Sequence, residues 1–258
     1  MFNFSQIQLF DKTLVTGILA INSLGANAAL TSYSSDGVDL VYSSVSDVTW
    51  TKDGNLLRTL FADQGFNKVV GAIIANSPRI SNTPHIFNST GIYTLTASDF
   101  SSNGITSWYG AMAYVNYLNS INYAGSNKWT LPTVANTTIG YNTVTNGSTR
   151  GDELVELYYE ELDSKAGSGQ GFGFKDPDNK FINERGIYWS GTEYEPYPTN
   201  AWLFNNNFGG QDIINKRGRF YAWAFSLGQV VTVPEPANST MLLAGLGLIA
   251  YATRQRKV

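Results

Sequence analysis

No cysteine occurs among the 258 residues. That absence excludes disulfides, thiolate metal sites and cysteine nucleophiles, while leaving the compartment open. Histidine is almost missing too: His85, in the loop-like stretch Ser81 to Phe87, is the sole copy. A Ser-His-Asp triad would have to use it, and no G-x-S-x-G elbow is present, so it reads as a loop or surface residue. Charged residues make up 14% of the chain, well below the usual quarter. The net charge is −3, and setting aside a neutral start (1–28) and a tail of net +2 from Pro234 leaves −5 between them. An acidic body without a basic stripe argues against nucleic acid as a partner.

Aromatics are plentiful, at 14%, with 15 Tyr, 14 Phe and 6 Trp. A disordered chain would lack them, and this length can bury the core of one large domain or two small ones. Val38 to Ser43 and Asp47 to Thr51 alternate as a hairpin. Leu56, Leu57, Leu60 and Phe61 give a short helical face. Trp108, Met112, Val115, Leu118 and Ile121 recur at three and four residues, a helix that Thr106 or Ser107 can cap. A second helix is expected from Thr149, with Asp152 in an approximate capping box, Leu154, Leu157, Tyr158 and Leu162 inward and Glu153, Glu156 and Glu160 outward. Strand-like runs cover Gly186 to Ser190, Ala201 to Asn205, Phe220 to Ser226 and Gln229 to Val233. Helices first and antiparallel strands last make an α+β domain.

Both ends carry targeting features. Lys12 precedes an apolar run, Leu14 to Leu24, and then Ala26-Asn27-Ala28, the layout of a signal peptide over 1–28. The polar segment Thr31 to Gly37 then reads as a fresh mature terminus. Near the other end, Met241 to Ala252 would form a helix of about 18 Å, against a bilayer core of about 30 Å. Asn238 to Thr240 bring it only to marginal length. Arg254, Arg256 and Lys257 follow and obey the positive-inside rule. Before it, Val233-Pro234-Glu235-Pro236 is a stiff segment that can join neither helix nor central strand.

Pro234-Glu235-Pro236, an apolar Leu/Gly-rich span and then the basic residues resemble the PEP-CTERM sorting signal. The resemblance implies an exosortase partner, transient insertion in the inner membrane, and residence in the cell envelope or outside the cell in an exopolysaccharide or biofilm setting. Thr49-Trp50, Trp108 with Ala111, Trp129-Thr130-Leu131-Pro132-Thr133, Tyr188-Trp189-Ser190-Gly191-Thr192-Glu193 and Tyr221-Ala222-Trp223-Ala224-Phe225 resemble the Lcl C-terminal domain of collagen-like adhesins. Thr130, Gly191 and Phe225 depart from the family's Arg, Ser and Val. This second resemblance implies a C-type-lectin-like domain with two main helices and a twisted antiparallel sheet. With the ends, the division is signal helix 1–28, domain 29–232 and sorting segment 233–258 with its transmembrane-like helix. It also implies glycan binding, although a body near −5 suits a sulfated polyanion poorly. Lys216, Arg217 and Arg219 form the body's one basic cluster and equally fit a solvated hairpin turn.

The expected ligand surface consists of Tyr194, Tyr197, Trp202, Asn205, Asn206 and Asn207, aromatic faces for sugar rings and amides for hydroxyls. Asp176, Asp178 and Asn179 could offer calcium hard oxygen ligands, or form an ordinary Pro-Asp turn; Glu195-Pro196 only faintly echoes a calcium-lectin triplet. The glutamates of the second helix read as a solvated face rather than a hydrolase pair, and no enzyme is expected. The reading is an exported surface or matrix protein binding polysaccharide; the alternative is a self-associating structural protein of a biofilm matrix.

Overall fold

Asp36 and Gly37 take left-handed backbone, with φ of 51° and 73°, and Asp-Gly is the pair that a tight primed hairpin turn favours. They join strand β1 (Leu30–Ser35) to β2 (Val38–Ser43). The segment expected to be only a polar terminus is therefore an edge strand. The computed structural model describes residues 30–141, 151–167, 176 and 178–231. The expected signal segment, 1–28, and the sorting residues Pro234, Glu235, Pro236, Arg254 and Arg256 lie outside them.

The predicted hairpin follows, β2 pairing with β3 (Val48–Thr51). Helix α1 (Leu56–Gln64) buries Leu56, Leu57, Leu60 and Phe61, the anticipated face. Gly65, at φ 91°, turns the chain into α2 (Phe66–Asn76), which the sequence reading misses. Its Val69, Val70 and Ile73 are β-branched and weak helix formers, and their burial overrides that preference. A short hairpin, β4 (Arg79–Ser81) with β5 (Ile92–Thr94), precedes α3 (Trp108–Ser120). The Ser107 hydroxyl caps α3 by accepting from the Gly110 amide at 3.1 Å, as Ser does at this position. Ile121 is 45% exposed just past its end.

Next come β6 (Trp129–Thr130), β7 (Gly140–Tyr141) and α4 (Glu153–Glu156), which runs into a π-helical turn over Leu157–Glu161. The closing strands are β8 (Ile187–Glu193), β9 (Asn200–Asn205), β10 (Gly210–Asn215) and β11 (Phe225–Leu227). Of the expected Phe220 to Ser226 strand, only Phe225 and Ser226 belong to β11, while Phe220 and Tyr221 make isolated bridges. Beyond Gln229 no strand forms among the described residues, since Val230 donates instead to the Thr49 hydroxyl. The strands form a five-stranded sheet, β1-β2-β3-β11-β6, a four-stranded sheet, β7-β10-β9-β8, and the β4–β5 hairpin, all antiparallel. Mixed helices and antiparallel sheets make the fold α+β. No helix among the described residues is long and apolar enough to cross a membrane.

All six tryptophans are buried, and a buried indole N–H favours an acceptor. Four of them find one in backbone carbonyls, while Trp50 Nε1 has none among the described residues. Trp108 donates to the Ser190 carbonyl and Trp189 to the Thr106 carbonyl, each at 2.9 Å, so α3 and β8 exchange a pair of indole bonds. Trp223 donates to the Thr51 carbonyl at 2.9 Å and Trp129 to the Tyr123 carbonyl at 2.8 Å. Trp50, Phe181, Tyr188 and Trp223 pack ring against ring beneath the five-stranded sheet, at 4.9 to 5.2 Å from Trp223. The motifs thus lock onto one another's backbone.

Gly110 sits where α3 meets this lock. A Cβ there would overlap the buried Thr106 hydroxyl, itself bonded to the Asp99 carbonyl at 2.8 Å, and crowd the Phe100 ring. Replacing a helical glycine with alanine normally gains about 1 kcal/mol, whereas overpacking costs roughly 1–3 kcal/mol. Urea denaturation should find Gly110→Ala less stable than the parent; a gain would show that Thr106 moves aside freely.

Candidate functional site

The sequence reading leaves Lys216 in a solvated turn, but its side chain is 1% exposed. An isolated buried ammonium is costly, and this one has two partners. Its Nζ lies 2.7 Å from Glu193 Oε1 and 4.5 Å from the Trp108 ring centroid. The backbone around it is equally committed: the Trp108 amide donates to the Lys216 carbonyl at 2.9 Å, and the Lys216 amide to Thr199 at 3.0 Å. Both Glu193 oxygens also accept from the Thr83 amide, at 3.0 and 3.2 Å. One ion pair therefore ties α3, β8, the β9–β10 unit and the loop between β4 and β5. Burial pushes the Lys216 pKa down, with Glu193 holding part of it back. Burial acts to raise Glu193, but the bonds from Lys216 and Thr83 outweigh it and its pKa falls below the ordinary value.

Around this hub lie three clefts. The largest, about 550 Å³, is lined by His85, Phe87, Asn88, Tyr93, Tyr109, Thr199, Asn215 and Arg217. Its wall holds two stacked tyrosine rings, Tyr93 on Tyr109, 3.7 Å apart and within 4° of parallel. Asp99 accepts from the Tyr93 hydroxyl at 3.0 Å and fixes that ring. Burial pushes the Tyr93 phenol up to about 12, so it stays neutral in ordinary buffers. A second cleft, about 380 Å³, lies between residues 84–87 and 196–199. The third, about 330 Å³, is lined by Thr137, Thr192 to Pro196 and Trp202.

The basic cluster is dispersed. Lys216 is inside, Arg217 faces the largest cleft, and Arg219 bonds the Ser98 carbonyl and the Ser101 hydroxyl. Of the expected ligand residues, Tyr194, Tyr197 and Trp202 do come together, with centroids 6.1 Å apart for Tyr194–Tyr197 and 5.7 Å for Tyr194–Trp202. Trp202 is not exposed, however: it is 1% accessible, because an indole on a strand covered by neighbouring aromatics is packed as core. Asn206 is fully buried and its amide donates to the Arg185 carbonyl at 2.9 Å, while Asn205 accepts from the Asn207 amide at 3.0 Å to shape the turn after β9. That turn lies five residues along β9 from Asn200, where Tyr194 bonds, or about 17 Å at strand rise. The asparagines therefore belong to a different end of the sheet. Tyr93, Tyr109, Asn88, Thr199 and Asn215 went unnoticed in the sequence, where no spacing marks them as neighbours.

The carboxylates also depart from expectation. Glu153 and Glu156 are buried rather than outward, because α4 is one short turn facing the core. Glu153 accepts from the Thr133 amide at 2.8 Å and Gly151 at 3.0 Å, and Asp152 from Ala135 and Asn136 at 3.0 and 2.9 Å. They hold the segment after Trp129 in place. Glu161 accepts from the Ser43 and Ser46 hydroxyls at 2.6 and 3.1 Å. Burial pushes it up to about 7, and nearby Glu156 adds to the rise against those two donors.

Asp176 is half-buried and makes a turn, its carboxylate accepting from Phe181 at 2.7 Å and its carbonyl from Asn179 at 3.2 Å, whereas Asp178 and Asn179 are exposed. Residues 171–175 and 177 lie outside the described residues. Among the described ones, no group of three or more His, Asp or Glu could hold a metal.

A family model described as the Lcl C-terminal domain matches residues 39–226, and one described as the PEP-CTERM protein-sorting motif matches residues 232–257. No curated protein and no solved structure matches the chain. A tail of the second kind implies export to the cell surface and processing by an exosortase.

Two predictions follow from the ionised groups. Glu193→Ala leaves the Lys216 ammonium buried and unpaired, and urea denaturation should show a loss of about 3 kcal/mol. Lys216→Met with Glu193→Leu should recover most of it; no recovery would assign the loss to packing. For Glu161 the folded pKa, about 7, lies above its ordinary 4.5, so the native state binds the extra proton. Its contribution is complete below about 4.5 and fades as pH rises through about 7. Glu161→Gln should remove that decline from the melting temperature; equal slopes in both proteins would refute the assignment.

Proposed function

The chain belongs to the Lcl C-terminal domain family and ends in a PEP-CTERM sorting tail, and from that premise we propose a non-enzymatic surface or matrix protein whose folded domain binds polysaccharide. The supporting observation is the 550 Å³ cleft with its stacked Tyr93–Tyr109 pair. A flat aromatic wall suits the C–H face of a sugar ring, and Asn88, Thr199, Asn215 and Arg217 around it offer donors and acceptors for hydroxyls. The cleft is a few hundred Å³ with few convergent polar groups, the usual build of a ligand site. Carboxylates engaged in backbone amides at 2.8 to 3.0 Å support the reading without catalysis.

In this account residues 1–28 are the signal peptide, 29–232 the C-type-lectin-like domain and 233–258 the sorting segment. The tail holds the chain in the inner membrane until an exosortase cleaves it, and the domain then works in the envelope or the extracellular matrix. Helices α1 to α3 against antiparallel sheets are compatible with the lectin-like description. The binding uses aromatic and amide groups rather than calcium.

The chain should bind a subset of a bacterial polysaccharide array, equally with and without chelator. Arg217→Ala and Asn215→Ala should each weaken binding about tenfold, the effect of losing a hydrogen bond or two. Silence across the array would overturn the reading, and binding abolished by chelation would overturn its calcium-independent form.

A further inference from the structure

The loop between β4 and β5 ends in a turn whose chemistry is out of place. The His85 amide donates to the Asn88 carbonyl at 3.1 Å and the Asn88 amide to His85 at 2.9 Å, leaving Ile86 and Phe87 at the apex. Two-residue hairpin turns ask for Asn, Asp or Gly, yet here stand two large apolar side chains, 90% and 78% exposed. Neither has positive φ, so the backbone would accept polar residues equally well. The apex is also anchored: Glu193 grips the Thr83 amide at its base, and Gly91, at φ 64°, passes close to Asn82 and Pro84.

Across the 380 Å³ cleft stands Tyr197, 66% exposed, between Pro196 and Pro198. Taking an aromatic side chain as about 200 Å², these groups present roughly 500 Å² of apolar surface. A patch of that size on a monomer is commonly functional. Doubled by a second copy it reaches about 1,000 Å², the lower limit for a specific interface.

The charges choose the occupant. Arg217 lines the cleft on one side of the patch and Glu195 the cleft on the other, and both are exposed. The ion pairs among the described residues, Lys52–Asp39 and Lys216–Glu193, involve neither. A two-fold axis through the patch would set each copy's Arg217 beside its partner's Glu195. A two-fold interface is self-complementary, and an apolar knob, a groove and opposite charges on either flank meet that requirement. We propose that this face associates two copies of the chain, Ile86 and Phe87 of each entering the cleft beside Tyr197 of the other. Five donors on Arg217 allow its outer edge to bond a carboxylate while inner N–H groups still face the large cleft. The inference is independent of what that cleft binds.

Because the chain lacks cysteine, cross-linking on the full chain can be read from one introduced thiol. Ile86→Cys, near the axis, should form a disulfide-linked dimer on mild oxidation, about tenfold faster than Ser32→Cys on exposed β1, since only the first pair is held together. Adding Glu195→Arg should slow it about fivefold or more through facing like charges, and Arg217→Glu on top should restore it. Melting temperatures of all variants should match the parent, confirming that the fold is intact. Equal rates at Ile86→Cys and Ser32→Cys would overturn the proposal. So would a double charge swap no better than the single, or flotation with phosphatidylcholine vesicles that Phe87→Ser abolishes, which would assign the patch to lipid.

Discussion

Two indole hydrogen bonds exchanged between the start of α3 and β8 hold this fold in register. Trp108 reaches the Ser190 carbonyl and Trp189 reaches the Thr106 carbonyl. Each ring is too large to bury without displacing water from its N–H, so each must find an acceptor, and each finds it beside the other tryptophan. The reciprocal bonds set the depth and angle of the helix against the sheet. Trp223 and Trp129 make the same kind of tie elsewhere, which explains why the aromatic motifs occur together: removing one strands the carbonyl or the ring belonging to another.

Lys216 builds on that lock. Its ammonium rests over the Trp108 ring and against Glu193, and Glu193 in turn holds the Thr83 amide. A buried charge has few solutions, and this one ties α3 and the loop between β4 and β5 to the β8–β9–β10 sheet. The clefts lie around those pieces. The face assigned to binding therefore derives its shape from an ion pair, while the sheets beneath supply rigidity. The loop carrying Ile86 and Phe87 is held at its base by the same Glu193, through the Thr83 amide.

Much of the fold was legible locally. The hairpin β2–β3, the apolar face of α1 and the capped start of α3 follow from periodicity and from Ser107. Asp36-Gly37 marked a turn that the polar composition of its neighbours concealed. α2 was hidden because Val69, Val70 and Ile73 favour strands until burial decides otherwise. Glu153 and Glu156 misled because charge normally faces water, whereas here backbone amides of a distant segment reach Glu153 as partners.

The sorting tail needed no fold to be recognised, since such tails are read as linear peptides by composition and order. The aromatic motifs likewise announced a family, because rings that lock onto one another leave their spacing in the chain. The site was another matter. Tyr93 and Tyr109 stack across sixteen residues of sequence, Trp202 is packed away, and Lys216, Arg217 and Arg219 leave a single cluster in three directions. Sequence spacing carries local geometry and linear signals; which side chains share a cleft, and which charge is buried, depends on contacts between distant segments that only the packed chain creates.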